Sequence, residues 1–138
     1  MALQSNLDFE EKIRNDLDEK WNISGKFQID KTEYMLGEKI FINIVDLDEN
    51  EKGSMKFLRP LNDTHYTVYR DIKFDGSKKT SANLYIGPQL YEIKKICSVD
   101  DLVGEWIVKL EGTEYEDIKF TITDEQLLGT EKNYESVC

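Results

Sequence analysis

Near the end of the chain, apolar and polar residues alternate on both sides of a turn, and this alternation limits the possible folds more strongly than any other pattern. The apolar positions before the turn are Trp106, Val108 and Leu110, and those after it are Ile118, Phe120 and Ile122. Successive side chains of a β-strand point to opposite faces, so a period of two indicates strands rather than helices. The turn between them favours an antiparallel pair that covers one side of a hydrophobic core.

Five further stretches are predicted as strands, three of which share this alternation (27–30, 39–45 and 82–86), and turn residues separate them at intervals of about ten residues. They are residues 27–30, 39–45, 54–58, 66–74 and 82–86. Together with the two strands above, they predict an all-β, antiparallel β-sandwich of about seven strands. We expect its core to contain Phe27, Ile29, Ile40, Ile42, Ile44, Trp106, Val108, Leu110, Phe120 and Ile122.

The segment before the first strand has helical periodicity. Phe9, Ile13, Leu17 and Trp21 recur at every fourth position, which places them along one side of a helix over residues 5–21. We expect one N-terminal α-helix docked on the sandwich, with a membrane-proximal stalk or a self-association helix as the alternative. The predicted parts are an N-terminal helix and linker (1–25), a sandwich (26–123) and a polar C-terminal tail (124–138).

Charge and hydropathy exclude several partners and constrain the location. The chain has 138 residues and a formal net charge of −10, which repels nucleic acids and anionic lipid surfaces. It contains no apolar run of about 18 residues, so we expect no membrane span. The first residues lack the features of a signal peptide. We expect an extracellular or cell-surface protein whose signal or anchor was trimmed from this sequence, with a cytoplasmic protein as the alternative.

Two cysteines are present, Cys97 and the C-terminal Cys138. They fit neither a four-cysteine zinc site nor a thioredoxin-type motif. The tail before Cys138 has few apolar residues to hold it against a core. We therefore expect the two cysteines to form a disulfide if the protein works outside the cell, the alternative being two free thiols.

An acidic segment, residues 46–53, is the best candidate metal site. Asp46, Asp48 and Asn50 place oxygen ligands at alternate positions, as a hard cation such as calcium requires. The segment is not an EF-hand, because its glycine is not at the sixth position and no helices flank it. A solvated turn between two strands is the alternative, and the sequence suggests no cofactor besides calcium.

No combination of residues indicates catalysis. His65 is the single histidine, and no nucleophile motif surrounds Cys97. Asp100 and Asp101 are adjacent in a turn, whereas glycosidase chemistry requires two carboxyl groups on opposite sides of a cleft. We therefore expect a protein that is not an enzyme.

Tyrosines are the best candidates for a binding surface. Tyr69, Tyr85 and Tyr115 lie in or beside predicted strands. Exposed tyrosines on a sheet can bind a partner, whereas tyrosines packed on the interior only cover a core, and both readings stay open. We expect the partner to be a protein or a cell-surface component, and self-association through the N-terminal helix is a further hypothesis.

Several motifs resemble immunoglobulin-like domains of prokaryotic surface proteins. The Tyr-x-x-Gly-Glu-Lys-Ile-x-Ile-x-Ile motif of residues 34–44 is similar to the second strand of such domains. The Gly-Glu-Trp-x-Val motif of residues 104–108 and the Lys-Phe-Thr-Ile motif of residues 119–122 are similar to the closing F and G strands. Residues 100–106 and 112–115 also resemble extracytoplasmic domains of ammonia-oxidising archaea.

This resemblance implies an immunoglobulin-like sandwich that serves as a surface module for binding, spacing or assembly, and it supplies no catalytic residue. The chain lacks the cysteine pair that joins the two sheets of antibody-type domains. We expect a non-enzymatic, extracytoplasmic interaction or structural module. The alternative is a cytosolic ligand-binding or regulatory β-sandwich protein.

Overall fold

The computed structural model describes residues 21–130 and 134–138, and its strands form two β-sheets. The strands are β1 (Asn22–Ser24), β2 (Phe27–Ile29), β3 (Glu33–Leu36), β4 (Ile40–Ile44), β5 (Lys52–Pro60), β6 (Tyr66–Asp75), β7 (Ala82–Ile86), β8 (Gly104–Glu111) and β9 (Ile118–Gln126). The sheets have the orders β1-β2-β4-β7 and β3-β9-β8-β5-β6. The predicted all-β sandwich is thereby confirmed, whereas the helix predicted over residues 5–21 lies outside the described residues apart from Trp21.

Alternate residues of β2, β4, β8 and β9 are buried in one hydrophobic core between the sheets. All ten residues predicted for this core are buried. The fully buried Trp106 stacks on Phe120 at 5.6 Å between ring centroids and meets the Tyr69 ring edge-on at 5.3 Å. Its indole N–H donates a 2.8 Å hydrogen bond to the carbonyl of Leu102. The alternation along β8 and β9 therefore identified the buried faces correctly.

Two short strands lie where the sequence predicts a linker and a turn. β1 forms a hairpin with β2 through a two-residue turn, in which Gly25 adopts a φ of 57° that favours glycine. β3 immediately precedes the turn into β4 and pairs with β9 in parallel, with Glu33 opposite Thr121. The prediction of a purely antiparallel sandwich is therefore wrong for this pair. β3 and β9 are not joined by a hairpin, which would require an antiparallel pair, since the chain leaves one sheet after β2 and joins the other at β3.

Candidate interaction surfaces

The three tyrosines proposed as a binding surface lie in three separate environments. Tyr69 packs its ring against Trp106, and Tyr115 meets the Phe27 ring edge-on at 6.1 Å. Both side chains are partly buried and cover the core. Tyr85 is 65% exposed on the outer face of the four-stranded sheet. Of the three, only Tyr85 therefore presents most of its side chain to solvent.

Tyr85 belongs to a row of aromatic side chains. Its ring lies 4.9 Å from that of Phe41, which stands directly opposite on β4. The Phe41 ring in turn meets Trp21 edge-on at 5.8 Å. Phe41 and Trp21 are both half-buried. The three rings thus form one continuous aromatic strip across the outer face of the sheet.

A row of amide side chains lies beside the aromatic strip. Gln28 stands opposite Asn43, and Asn43 stands opposite Asn83, so the three amides cross β2, β4 and β7 in one line. Ile23 of β1 continues this line and is 55% exposed. Directly opposed residues of paired strands point to the same face, so all four point outward with Phe41.

We call this surface the aromatic–amide face and define it by Trp21, Ile23, Gln28, Phe41, Asn43, Asn83 and Tyr85. The six outward positions on its four strands carry no charged side chain, although 33% of the chain is charged. None of its three amide side chains makes a hydrogen bond within the described residues.

The sequence contained a signal for this face that the tyrosine hypothesis did not use. Phe41 and Asn43 alternate with the core isoleucines of β4, and a half-buried strand points such residues outward. Their alignment with Gln28, Asn83 and Tyr85 depends on strand pairing and register, which alternation along one strand does not specify.

Of Asp46, Asp48 and Asn50, the residues of the calcium hypothesis, Asp48 lies beside an ammonium group. The ammonium group of Lys26 lies 3.3 Å from the Asp48 carboxylate and 2.5 Å from that of Glu51. The hydrogen bond to Glu51 is the main cause that raises the pKa of Lys26, so the ammonium stays charged. In the part of the chain that the structure describes, no group of three or more His, Cys, Asp or Glu side chains is arranged to hold a metal ion.

A disulfide joins Cys97 to Cys138, the pair that the sequence predicted. The last residues of the tail also contact the sandwich. The backbone N–H of Val137 donates a 3.0 Å hydrogen bond to the Cys97 carbonyl, and the Tyr134 hydroxyl donates one of 3.1 Å to the Pro88 carbonyl. Because the sulfur of Cys97 is part of the disulfide, this residue has no free thiolate that could act as a nucleophile.

A second candidate surface lies between β6 and β7, which are the last strands of their respective sheets. The space between them is a groove of about 220 Å³ that opens to solvent. Its apolar lining consists of Ile44, Leu47, Ile72, Phe74, Ala82 and Leu84. The exposed residues Lys73, Lys78 and Lys79 stand at its rim. We call this region, with the outer edges of β6 and β7, the open edge.

Comparison of the chain with protein-family models, with curated proteins and with solved structures finds no match. Within residues 21–130 and 134–138, no helix is long and apolar enough to cross a bilayer.

Proposed function

We propose that this protein is a non-enzymatic, extracytoplasmic interaction module that binds a partner protein or cell-surface component through its aromatic–amide face. The observation that carries the proposal is the composition of this face. The central parts of protein interfaces are depleted in charge and enriched in aromatic residues. Tyr85, Phe41 and Trp21 supply the aromatic residues, and the flanking amides supply hydrogen-bonding groups.

The strand order supports an immunoglobulin-like arrangement. In variable-type immunoglobulin domains, strand C′ extends the sheet that contains strands G, F and C. The order β9-β8-β5-β6 corresponds to G-F-C-C′, and β2-β4-β7 corresponds to A-B-E. This correspondence supports the resemblance to surface domains that rests on residues 34–44 and 104–108.

The disulfide supports the proposed location. Disulfides persist in oxidising compartments such as the extracellular space and are rare in the cytosol. The bond between Cys97 and Cys138 therefore favours a protein that works outside the cytoplasm. The proposed location is tested by measuring the intact mass after alkylation of protein isolated from its native organism. Uptake of two alkyl groups without reductant would contradict an oxidising location.

Binding through the aromatic–amide face is tested with two variants of equal charge. Tyr85→Glu introduces a carboxylate into the aromatic strip, whereas Thr121→Glu introduces one on β9, where Thr121 is also exposed. Each variant is incubated with purified cell-surface material from the encoding organism, and the bound fraction is measured across protein concentrations. We expect Tyr85→Glu to weaken binding by about tenfold or more, because a charge buried in the interface would be desolvated.

Thr121→Glu should bind as tightly as the unmodified protein. Equal affinities for the two variants, with unchanged far-UV circular dichroism, would contradict the proposed role of the face. A loss of binding in both variants would show that the interaction depends on overall charge rather than on this surface.

A further inference from the structure

The outer edge of β6 is blocked along one part and accessible along another. A register shift between Phe57 and Leu58 leaves Tyr69 as an additional residue on β6, a β-bulge. The ammonium group of Lys94 donates a 2.9 Å hydrogen bond to the Tyr69 carbonyl and so covers the edge at the bulge. Beyond the bulge, residues 70–74 have no strand against their outer edge within the described part of the chain. The accessible stretch is therefore the half of β6 that flanks the groove.

The groove beside this stretch is large enough for one or two side chains but too small for a drug-sized molecule. Pockets for drug-sized ligands measure about 300–1,000 Å³. The groove volume is about 220 Å³, and its lining is mainly apolar. It therefore suits one or two apolar side chains of a chain segment that runs along the edge.

The rim of the groove differs in charge from the rest of the molecule. Lys73, Lys78 and Lys79 lie at the rim of a chain whose net charge is −10. The nearby carboxylate of Asp75 is occupied by its own turn, since it accepts hydrogen bonds from the backbone N–H and the hydroxyl of Ser77. This local excess of ammonium groups is complementary to an acidic partner.

From these three observations we infer that the open edge binds an extended acidic peptide segment of a partner protein by strand addition. In this mode, main-chain hydrogen bonds to a free strand edge supply affinity, and pockets for alternate side chains supply specificity. Apolar residues of the segment enter the groove, and the acidic residues between them lie near the three lysines. The strand that the segment extends is β6, and no residue of β6 belongs to the aromatic–amide face.

The test uses a fluorescein-labelled peptide of about six residues, a common strand length, in which valine alternates with aspartate or glutamate. Fluorescence anisotropy measures its affinity for the full chain. We expect saturable binding that weakens by about tenfold or more in the Lys78→Glu, Lys79→Glu variant. The matched control is Lys109→Glu, Lys119→Glu, which reverses two exposed lysines on β8 and β9 and should bind as the unmodified protein does.

Two further peptides separate strand addition from charge attraction. A version with lysine at the acidic positions should not bind, and an acidic version with N-methylated backbone should lose most of its affinity, because it cannot complete the main-chain hydrogen bonds. Equal weakening in both lysine variants, or full affinity of the N-methylated peptide, would overturn the inference, as would the absence of saturable binding. Gln28→Glu changes the aromatic–amide face on β2, away from β6 and β7, and should leave peptide binding unchanged, so failure here is distinguishable from failure of the proposed function.

Discussion

Replacement of Trp106 by alanine should be among the most damaging single substitutions in this protein. The side chain is fully buried and contacts the rings of Phe120 and Tyr69. Truncating a large buried aromatic residue costs about 3–5 kcal/mol of unfolding free energy. The carbonyl of Leu102 would also lose the hydrogen bond from the indole, and Leu102 is itself fully buried. Domains of this size have a total stability of about 5–15 kcal/mol, so the variant should be close to unfolding.

Trp106→Phe separates the hydrogen bond from the packing. Phenylalanine retains an aromatic ring in the core but cannot donate to the Leu102 carbonyl, and an unsatisfied buried acceptor costs about 1–3 kcal/mol. Ile107→Ala is the control, because Ile107 is the next residue on β8 and points to the outer face. It should cost less than about 1 kcal/mol.

Urea unfolding followed by far-UV circular dichroism measures all three variants, since this signal does not depend on tryptophan fluorescence. The expected order of destabilisation is Trp106→Ala, then Trp106→Phe, then Ile107→Ala. A nearly neutral Trp106→Ala, or an Ile107→Ala that costs more than it, would refute the assignment of the two faces of β8. A neutral Trp106→Phe would show that the indole hydrogen bond contributes nothing.

Three further predictions concern the tail, the alkaline limit of stability and one close backbone approach. Replacing both Cys97 and Cys138 by serine should lower the unfolding free energy by about 2–4 kcal/mol, because the unfolded chain gains conformational entropy when the disulfide no longer closes a loop. An unchanged urea midpoint would contradict this. Burial, followed by a hydrogen bond to a carboxylate, raises the pKa of Tyr34, so its contribution to stability is complete below about pH 10 and decreases as the pH rises further. Tyr34→Phe should therefore flatten the alkaline part of a pH–stability curve, and an unchanged slope would count against this. Gly76→Ala should destabilise the protein by about 1–3 kcal/mol or more, since the added Cβ would lie 1.8 Å from the backbone oxygen of Asp48. Gly87→Ala is the control, because its Cβ would lie 3.7 Å from the nearest atom, on Lys39, and thermal unfolding should show it to be nearly neutral.

Several features of the fold could be predicted because they depend on neighbours in the chain. The alternation along β4, β8 and β9 placed Ile42, Trp106 and Phe120 in the core, since a strand turns every second residue to the same face. Cys138 was identifiable as the disulfide partner of Cys97 because no other cysteine is present, although the sequence left two free thiols as an alternative. These inferences need no knowledge of which strands are adjacent.

Other features depend on which distant segments meet. The parallel pairing of β3 with β9 joins residues that lie far apart in the chain, and no pattern within Glu33–Leu36 names its partner. The pairing of Lys26 with Asp48 and Glu51 likewise follows from a turn that contacts a distant loop. The acidic pattern of residues 46–53 therefore gives no indication that an ammonium group lies beside Asp48.

Neither candidate surface could be predicted from the pattern of a single strand. Alternation along β4 alone predicts that Phe41 faces outward, but its position beside Tyr85 is determined only by the register of β4 with β7. The open edge exists because β6 and β7 are the last strands of their sheets, which is a property of the strand order and not of any residue in them. The sequence by itself therefore determined which faces of β2, β4, β8 and β9 are buried, because that depends on spacing along the chain. Only the tertiary structure decided which outward residues lie together, because that depends on strand order and register.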